Sequence, residues 1–490
     1  LTLTPTRSTA LWVLAALTAL GVAARFASID VQSFHHDEVI TAARVIPGSF
    51  VDMLHQVKGS ESNPPLYYVL AWGWAKAFGT GEVGLRSLSA LFGAATVPVA
   101  YCAGRELASR RAGLIAAALV AVNPMLIWYS QEARSYALLA FFGAASLVFF
   151  ARALRTQRGR DLALWALASA LALCSHYFAV FAVAIEALWL LIALRSHWRR
   201  MLPAVGAVGL VGLALLPLIS SQVNPTHIGW IDFTPLSGRL FQTGISFLVG
   251  ETGHVIAEPP RERYALLPAI LIGAALLLVA TRGARDERRG ALLGLVIGLG
   301  VAGLALLAAL VGKDYVVERN LLPALVPLLV AAGIGFAADG ARRLGLLLAV
   351  ALCAYWVAFD VHVTQTPNLQ RPDFRAITDE LGPPRVPRAV VTWKLAADPV
   401  RFYLQDHALR IYSGETPMRE IDVISKSAVG VPEGVPRTFH PVARVRFERL
   451  TLTRYMSNRV RKIPFYALRD VRTGFGVNAV VADGQPQGQP

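Results

Sequence analysis

The stretch FHHDEVIT, from Phe34 to Thr41, sets two histidines and two acids side by side between apolar neighbours. Those residue types support three chemistries. They can ligate a metal ion, they can move a proton to or from a reacting hydroxyl, or they can sit in a solvated loop and do neither. Four further short stretches carry polar groups of the same kinds. Lys58 and ESNPPLYYVL (61–70) lie a little farther on, SQEARSY (130–136) brings Glu132 and Arg134, SHYF (175–178) brings His176 and Tyr177, and DYVVERNLLPALVP (314–327) brings Glu318 and Arg319. Each alone reads equally as a cap or salt bridge at a helix end. Their value depends on whether the elements between them bring them to one place.

Those elements are apolar. The 490-residue chain is 55% hydrophobic and 16% charged, with mean hydropathy +0.49, against about 45–50% and about 25% in soluble domains. This is the composition of a polytopic membrane protein. Eleven runs are long enough to approach the roughly 20 residues that a spanning helix needs: 10–26, 83–104, 112–129, 135–151, 161–175, 177–194, 202–219, 264–281, 291–312, 321–338 and 344–360. The run 11–24 also fits a signal peptide; a retained first span is the preferred expectation. The net charge of +15 is carried by short Arg clusters between apolar runs and by the last quarter of the chain, which is the positive-inside pattern rather than a nucleic-acid surface. Nucleic acid is therefore not an expected partner.

The same clusters set the topology. If Pro65–Phe78 does not cross, the basic loops 105–111, 152–160, 195–200, 282–289 and 342–343 all fall on the cytoplasmic side. The outer side then receives 27–82, the turns 130–134 and 175–177, the loop 220–263, the turn 313–320 and everything after about 361. All the polar stretches share that face.

Residues 361–480 are different material, with short β-type runs at 389–394, 421–425 and 443–452 and a helix over 373–382, started by Asp373 and stopped by Gly382. This predicts a small extracytoplasmic α/β or α+β domain. The tail 481–490, rich in Gln, Pro and Gly, is expected to be disordered. The expected division is 1–360 transmembrane catalytic domain, with 27–82 and 220–263 as its long outer loops, then 361–480, then the tail.

Other signals stay weak. GLGVAG (298–303) has the dinucleotide spacing but lacks the strand–turn–helix context; small residues for helix packing explain it, as they explain GAVGLVG (206–212). No D-x-D and no P-loop occurs, which weighs against a metal-bound nucleotide sugar and against ATP-driven transport by this chain. The three cysteines lie in apolar runs without metal-ligand spacing. Glu186, inside an apolar run, is either functional or paired to a neighbouring helix.

Carboxylates and dispersed cations at a lipid surface suit one reaction in particular. A carboxylate takes the proton of an acceptor hydroxyl, while Arg, Lys or His steadies a departing phosphate. Lipid access suits a polyprenyl phosphate as leaving group, hence glycosyl transfer from a lipid-linked sugar.

The order of the motifs resembles the GT-C glycosyltransferases of the protein O-mannosyltransferase and lipid A aminoarabinose transferase type. The likeness rests on Asp37-Glu38 in the first outer loop, Pro64-Pro65-Leu66-Tyr67-Tyr68, GTGEVGLRSLSALFGA (79–94), the S-x-E-A-R-x-Y turn from Ser130 to Tyr136, the His-Tyr turn and the Arg-bearing turn before a Pro-bearing span. It covers 10–200 well and 310–340 moderately. The resemblance implies a mainly α membrane fold of about eleven helices and an inverting transfer from a polyprenyl-phosphate sugar to an envelope glycan, lipid or protein hydroxyl. It implies Asp37 as base, with Glu38 orienting acceptor or base. The donor phosphate or substrate falls to Arg134, Arg319, His176, Tyr177, Lys58, His36 and Glu132, and no cofactor is expected. The Ala-, Leu-, Gly- and Arg-rich composition points to a bacterial cytoplasmic membrane, with site and C-terminal domain toward the periplasm. Two departures matter: Val39-Ile40-Thr41 stands where the aminoarabinose transferases carry Arg-Tyr, and Asn63 stands where they carry Lys. The phosphate grip therefore differs, with Lys58, Arg44 or the histidines as substitutes. Two other functions compete. A flippase of lipid-linked sugars would place its ionisable groups near the midplane; a metalloenzyme would combine two of His35, His36, Asp37 and Glu38 with His176 or His55.

Overall fold

The computed structural model describes residues 7–222, 231, 234–251, 262–404, 409–411, 413–448 and 450–483. They form two compact units. The first holds residues 7–29, 45–251 and 262–362 of those described; the second holds Asp30–Arg44 and the residues from Val363 onward.

The first unit is helical. Its long members are α1 (Arg7–Phe26), α5 (Glu82–Leu107), α8 (Tyr136–Thr156), α11 (Trp198–Gln222), α13 (Glu262–Arg282), α14 (Arg285–Leu310) and α16 (Arg342–Gln365), the last running on into the second unit. A segment over 318–337 starts as a 3-10 turn and continues as α15 (Leu325–Ala337). Shorter helices fill the intervals: α3 (Phe50–Ser60), α4 (Leu66–Phe78), α6 (Arg110–Val122), α7 (Pro124–Ser130), α9 (Gly159–Ser175), α10 (Ala179–Ala193) and α12 (Leu236–Val249).

Every expected span falls on helical residues, and length and composition by themselves support fewer crossings than eleven. Among the described residues, eight helices are long and apolar enough, or nine if α6 and α7, bent by 57°, count as one. For α10 the shortfall is one of length. At ~1.5 Å per residue, the 15 residues of α10 reach about 22 Å, short of a hydrocarbon core of about 30 Å. Pro65–Phe78 forms α4, whose 13 residues are shorter still. The α6–α7 bend has a local cause: Asn123 accepts from the Leu126 amide at 3.1 Å and Pro124 opens the next helix, so one helix ends where another begins.

The bundle's core lies in α5, α6, α8 and α15, which are buried along most of their length. Small residues let the backbones approach. A Cβ on Gly113 would fall 2.4 Å from the Tyr101 carbonyl oxygen, and one on Gly298, within GLGVAG, 2.5 Å from Leu328 Cγ. Gly298 and Gly300 serve packing, whereas Gly303, and Gly206, Gly209 and Gly212 of GAVGLVG, have open space where a Cβ would stand, so close packing does not explain them. Glu186 has a partner: Trp165 Nε1 donates to its Oε2 at 2.9 Å, tying α10 to α9. Two buried arginines brace the end of α1. Arg25 donates to the carbonyls of Gly21, Val120 and Ala121 and to Ser130 Oγ, and Arg86, from the 79–94 motif, donates to the Ile29 carbonyl at 2.9 Å.

The second unit is built on a six-stranded sheet, ordered β2-β6-β1-β3-β5-β4. The strands are β1 (Arg388–Trp393), β2 (Leu409–Ile411), β3 (Glu415–Lys426), β4 (His440–Phe447), β5 (Leu450–Pro464) and β6 (Asn478–Asp483). β1 and β3 pair in parallel; the other pairs are antiparallel. Apolar clusters cover both faces, around Val390, Ile424 and Val481 on one and Val391, Val423 and Val480 on the other. The run 443–452, which alternates like one strand, is a hairpin: β4 ends at Phe447, Glu448 takes φ +48°, and β5 begins at Leu450. Short alternation cannot reveal a turn that interrupts neither face of the pattern. The helix expected over 373–382 is α17 (Phe374–Leu381), capped by Asp373, which accepts from the Arg375 and Ala376 amides, and closed by Gly382 at φ +59°. Residues 481–483 belong to β6, and 484–490 lie outside the described residues.

Candidate functional site

The acidic pair lies in the second unit. The segment 30–44 is tied to the sheet's flanking elements. Phe34 N donates to Tyr403 Oη at 2.7 Å, Phe374 N to Ser33 Oγ at 2.9 Å and Arg371 N to Gln32 Oε1 at 3.1 Å. Arg44 Nη2 and His36 Nδ1 both address Asp398, at 3.0 and 3.1 Å. Arg44 and His36, offered above as substitute phosphate ligands, thus share a carboxylate.

Within α2 (His36–Ile40) the two acids differ. Glu38 is fully buried, with His35 Nδ1 3.0 Å and Arg371 Nη1 3.8 Å from its Oε2. Asp37 keeps 30% of its side chain exposed and lies 3.9 Å from His35 Nε2. Burial, and then Arg371, pull the His35 imidazole down to about 4, so it is neutral near pH 7. The buried acid is held by a donor and a cation; the exposed one can meet a substrate.

The remaining candidates lie in the first unit, and three of its connections meet there. The turn 131–135 is short because α7 stops at Ser130 and α8 starts at Tyr136, with Arg134 N donating to the Glu132 carbonyl at 2.8 Å. Glu132 and Arg134 are buried. Arg134 Nη1 donates to Glu61 Oε2 at 2.7 Å, and its guanidinium lies 5.9 Å from the Tyr68 ring centroid. His176, which ends α9, stands 5.7 Å from the Tyr136 ring. Burial first, then Arg134 and Arg319, lower its imidazole to about 3. Arg319, half-buried at the start of the 3-10 turn, thus acts on the same imidazole as Arg134. Glu251, Glu318 and Arg319 are also within electrostatic reach of Tyr129, whose ring is 4.7 Å from that of Tyr136. Tyr177 donates its hydroxyl to Gln222 Oε1 at 2.7 Å, and Gln222 Nε2 donates in turn to the carbonyls of Val57 and Asn63. Lys58 is exposed in the last turn of α3.

Three members had no role at the sequence level. Glu61 lies inside ESNPPLYYVL, where nothing in the sequence sets it apart. Glu251 fell in the loop 220–263, whose length hid it; residues 223–230, 232–233 and 252–261 of that loop lie outside the described residues. Arg239 is the third. It donates to both Asp314 oxygens, at 2.8 and 2.5 Å, and to the carbonyls of Thr234 and Val316. It thereby fixes the segment that leads into Glu318 and Arg319, and it holds the Asp314 carboxyl below its ordinary range.

Among the described residues, no group of three His, Cys, Asp or Glu side chains is gathered as a metal ion would need. The His35–Glu38 stretch sets a partly exposed carboxylate beside a neutral imidazole. What the first unit offers is two guanidiniums and a neutral imidazole amid tyrosines and acids, a setting suited to a phosphate-bearing ligand.

Residues 62–220 match the family model described as dolichyl-phosphate-mannose-protein mannosyltransferase. No curated protein matches the chain. Among solved structures, ArnT from Cupriavidus metallidurans in the apo state is 14% identical, with TM-score 0.60 over 91% of this chain and 98% of that one. The same protein bound to undecaprenyl phosphate gives TM-score 0.56 and 14% identity over 90% and 98%. At that identity the likeness is one of fold, the GT-C fold, and it extends through both units. The matched family segment includes the Pro-Pro-Leu, E-A-R and His-Tyr motifs.

Proposed function

We propose that this GT-C-type membrane glycosyltransferase takes its sugar from a polyprenyl-phosphate donor and passes it, with inversion, to a hydroxyl of an envelope glycan, lipid or protein. In this reading Asp37 accepts the hydroxyl proton as the acceptor oxygen attacks the anomeric carbon. The carbon–oxygen bond to phosphate breaks on the opposite face, and Arg134 and Arg319 take up the negative charge that develops on the departing phosphate. His176, neutral and buried, supplies a hydrogen bond there rather than a third charge. Glu61 and Arg239 are positioning residues: one orients Arg134, the other the segment bearing Arg319. The reaction would run on the periplasmic side of a bacterial cytoplasmic membrane, the orientation that the basic loops favour. No step draws on a cofactor.

The observation that carries the reading is the buried Arg134, held by Glu61 at 2.7 Å and lying 5.9 Å from the Tyr68 ring, in a turn inside the segment that the family model matches. Mass spectrometry of membrane lipids and envelope glycans, in cells with and without the gene, tests it. A polyprenyl-phosphate sugar should accumulate without the protein, and one glycan or glycoconjugate should lose that sugar. Unchanged lipids and glycans would reject the reading. Purified protein that moved labelled lipid-linked sugar across proteoliposomes without forming product would favour the flippase.

A further inference from the structure

His35 stands at the N-cap of α2, with both ring nitrogens beside a carboxylate. Nδ1 is 3.0 Å from Glu38 Oε2 and Nε2 is 3.9 Å from Asp37 Oδ2. A buried carboxylate beside Arg371 accepts hydrogen bonds and donates none, so Nδ1 carries the ring proton. In a neutral ring Nε2 then presents a lone pair, and it presents it toward a second acceptor. Two acceptors facing each other at that distance repel unless a proton or a small donor comes between them. A proton delivered to Asp37 Oδ2, where the proposed reaction releases one, would therefore have the Nε2 lone pair 3.9 Å away.

We propose that His35 is a positioning residue that shares the proton taken up by Asp37 during transfer. This rests on the reading of Asp37 as the base. The hydroxyl proton passes to Asp37 Oδ2 as the acceptor oxygen bonds to the anomeric carbon and the phosphate leaves with the bonding pair. The protonated carboxyl then donates to His35 Nε2. Glu38 fixes the ring through Nδ1–H, so that the tautomer and the aim of Nε2 do not drift. This gives Glu38 a function that needs no contact with substrate and gives its burial a purpose. A ring of such low basicity is neutral in the resting protein, so it accepts a hydrogen bond from the protonated carboxyl without stripping its proton. Of the other ionisable groups on this segment, Arg44 donates to Asp398 and His36 Nδ1 lies 3.1 Å from the same carboxylate.

A merely structural His35 would cap the helix through Glu38, and an asparagine can do that, because its amide NH2 can take the place of Nδ1–H. It offers nothing in place of Nε2. The test is His35→Asn in the full-length protein, beside wild type and Asp37→Asn, in vesicles made from total lipid of cells lacking the gene. Free polyprenyl phosphate is read over a dilution series of that lipid, which separates maximal rate from half-saturation. The expected result is a folded His35→Asn protein with half-saturation near wild type and a maximal rate down about tenfold or more. Wild-type rate in His35→Asn, or a change confined to half-saturation, overturns the inference. If His35→Asn is fully active while Asp37→Asn is dead, the inference fails and the base assignment stands. If Asp37→Asn turns over like wild type, the base assignment itself falls.

Discussion

Removing the Glu61 carboxylate should expose how far Arg134 depends on it. The two side chains are 7% and 2% exposed, and Nη1 and Oε2 are 2.7 Å apart. An exposed pair of this kind is worth about 0–1 kcal/mol; a buried one, broken by deleting one partner, costs about 3–5 kcal/mol because a guanidinium is left in low dielectric. The burial of both groups selects the second regime. Glu61→Ala should therefore lower the folded-to-unfolded ratio by about 10²–10³ or more, at about 1.4 kcal/mol per decade. Arg134→Ala should cost a similar amount, and the double variant much less than the sum, with a coupling toward the upper end of about 0.5–3 kcal/mol. Denaturation of the full-length protein in mixed micelles, followed by tryptophan fluorescence, measures all four corners of the cycle. A Glu61→Ala cost below about 1 kcal/mol, or strict additivity, would refute the claim that this pair is a buried unit positioning Arg134.

Three more outcomes follow from the geometry. Arg239→Met should release the segment 314–317 and lower transfer with little change in the helical bundle; circular dichroism beside an activity assay separates the two. Gly93→Ala would set a Cβ 2.0 Å from Ser130 Oγ and 2.9 Å from Arg25 Nε, so a loss of about 1–3 kcal/mol is expected from overpacking, read by the same denaturation. The third concerns pH. His176 in the folded protein is depressed to about 3 from an ordinary 6.5, so the unfolded chain takes up a proton that the folded one refuses. Its contribution is intact above about pH 6.5 and is lost as pH falls toward 3, by up to about 1.4 kcal/mol per unit. In His176→Asn the slope of stability against pH in that window should be shallower than in wild type, measured by denaturation at a series of pH values.

Motif order was the legible part of this sequence, because catalytic and binding groups in such a fold sit at the ends of apolar runs, and those ends can be read from composition. Arg134, His176 and Arg319 stand at such ends, and both arginines act electrostatically on the His176 imidazole. Partners were not legible. Glu61 meets Arg134 across 73 positions and Arg239 meets Asp314 across 75, and no periodicity encodes such a pairing. Helix ends are less legible for a physical reason: apolarity continues past a helix end into a buried turn, so the apolar run 177–194 is longer than α10. The segment 30–44 follows a span directly and reads as part of the helical unit. Its ties to the C-terminal unit depend on single hydrogen bonds, such as Phe34 to Tyr403, that a sequence does not display.

The central claim is that Asp37 is the proton acceptor of a sugar transfer from lipid phosphate. Its most direct test is the release of free polyprenyl phosphate by purified wild type and Asp37→Asn, in vesicles of total lipid from cells lacking the gene. Undecaprenyl phosphate binding is measured on the same samples as a check of integrity. Wild type should release polyprenyl phosphate, and Asp37→Asn should bind undecaprenyl phosphate as wild type does but release at least about a hundredfold less. Release by Asp37→Asn at the wild-type rate would contradict it.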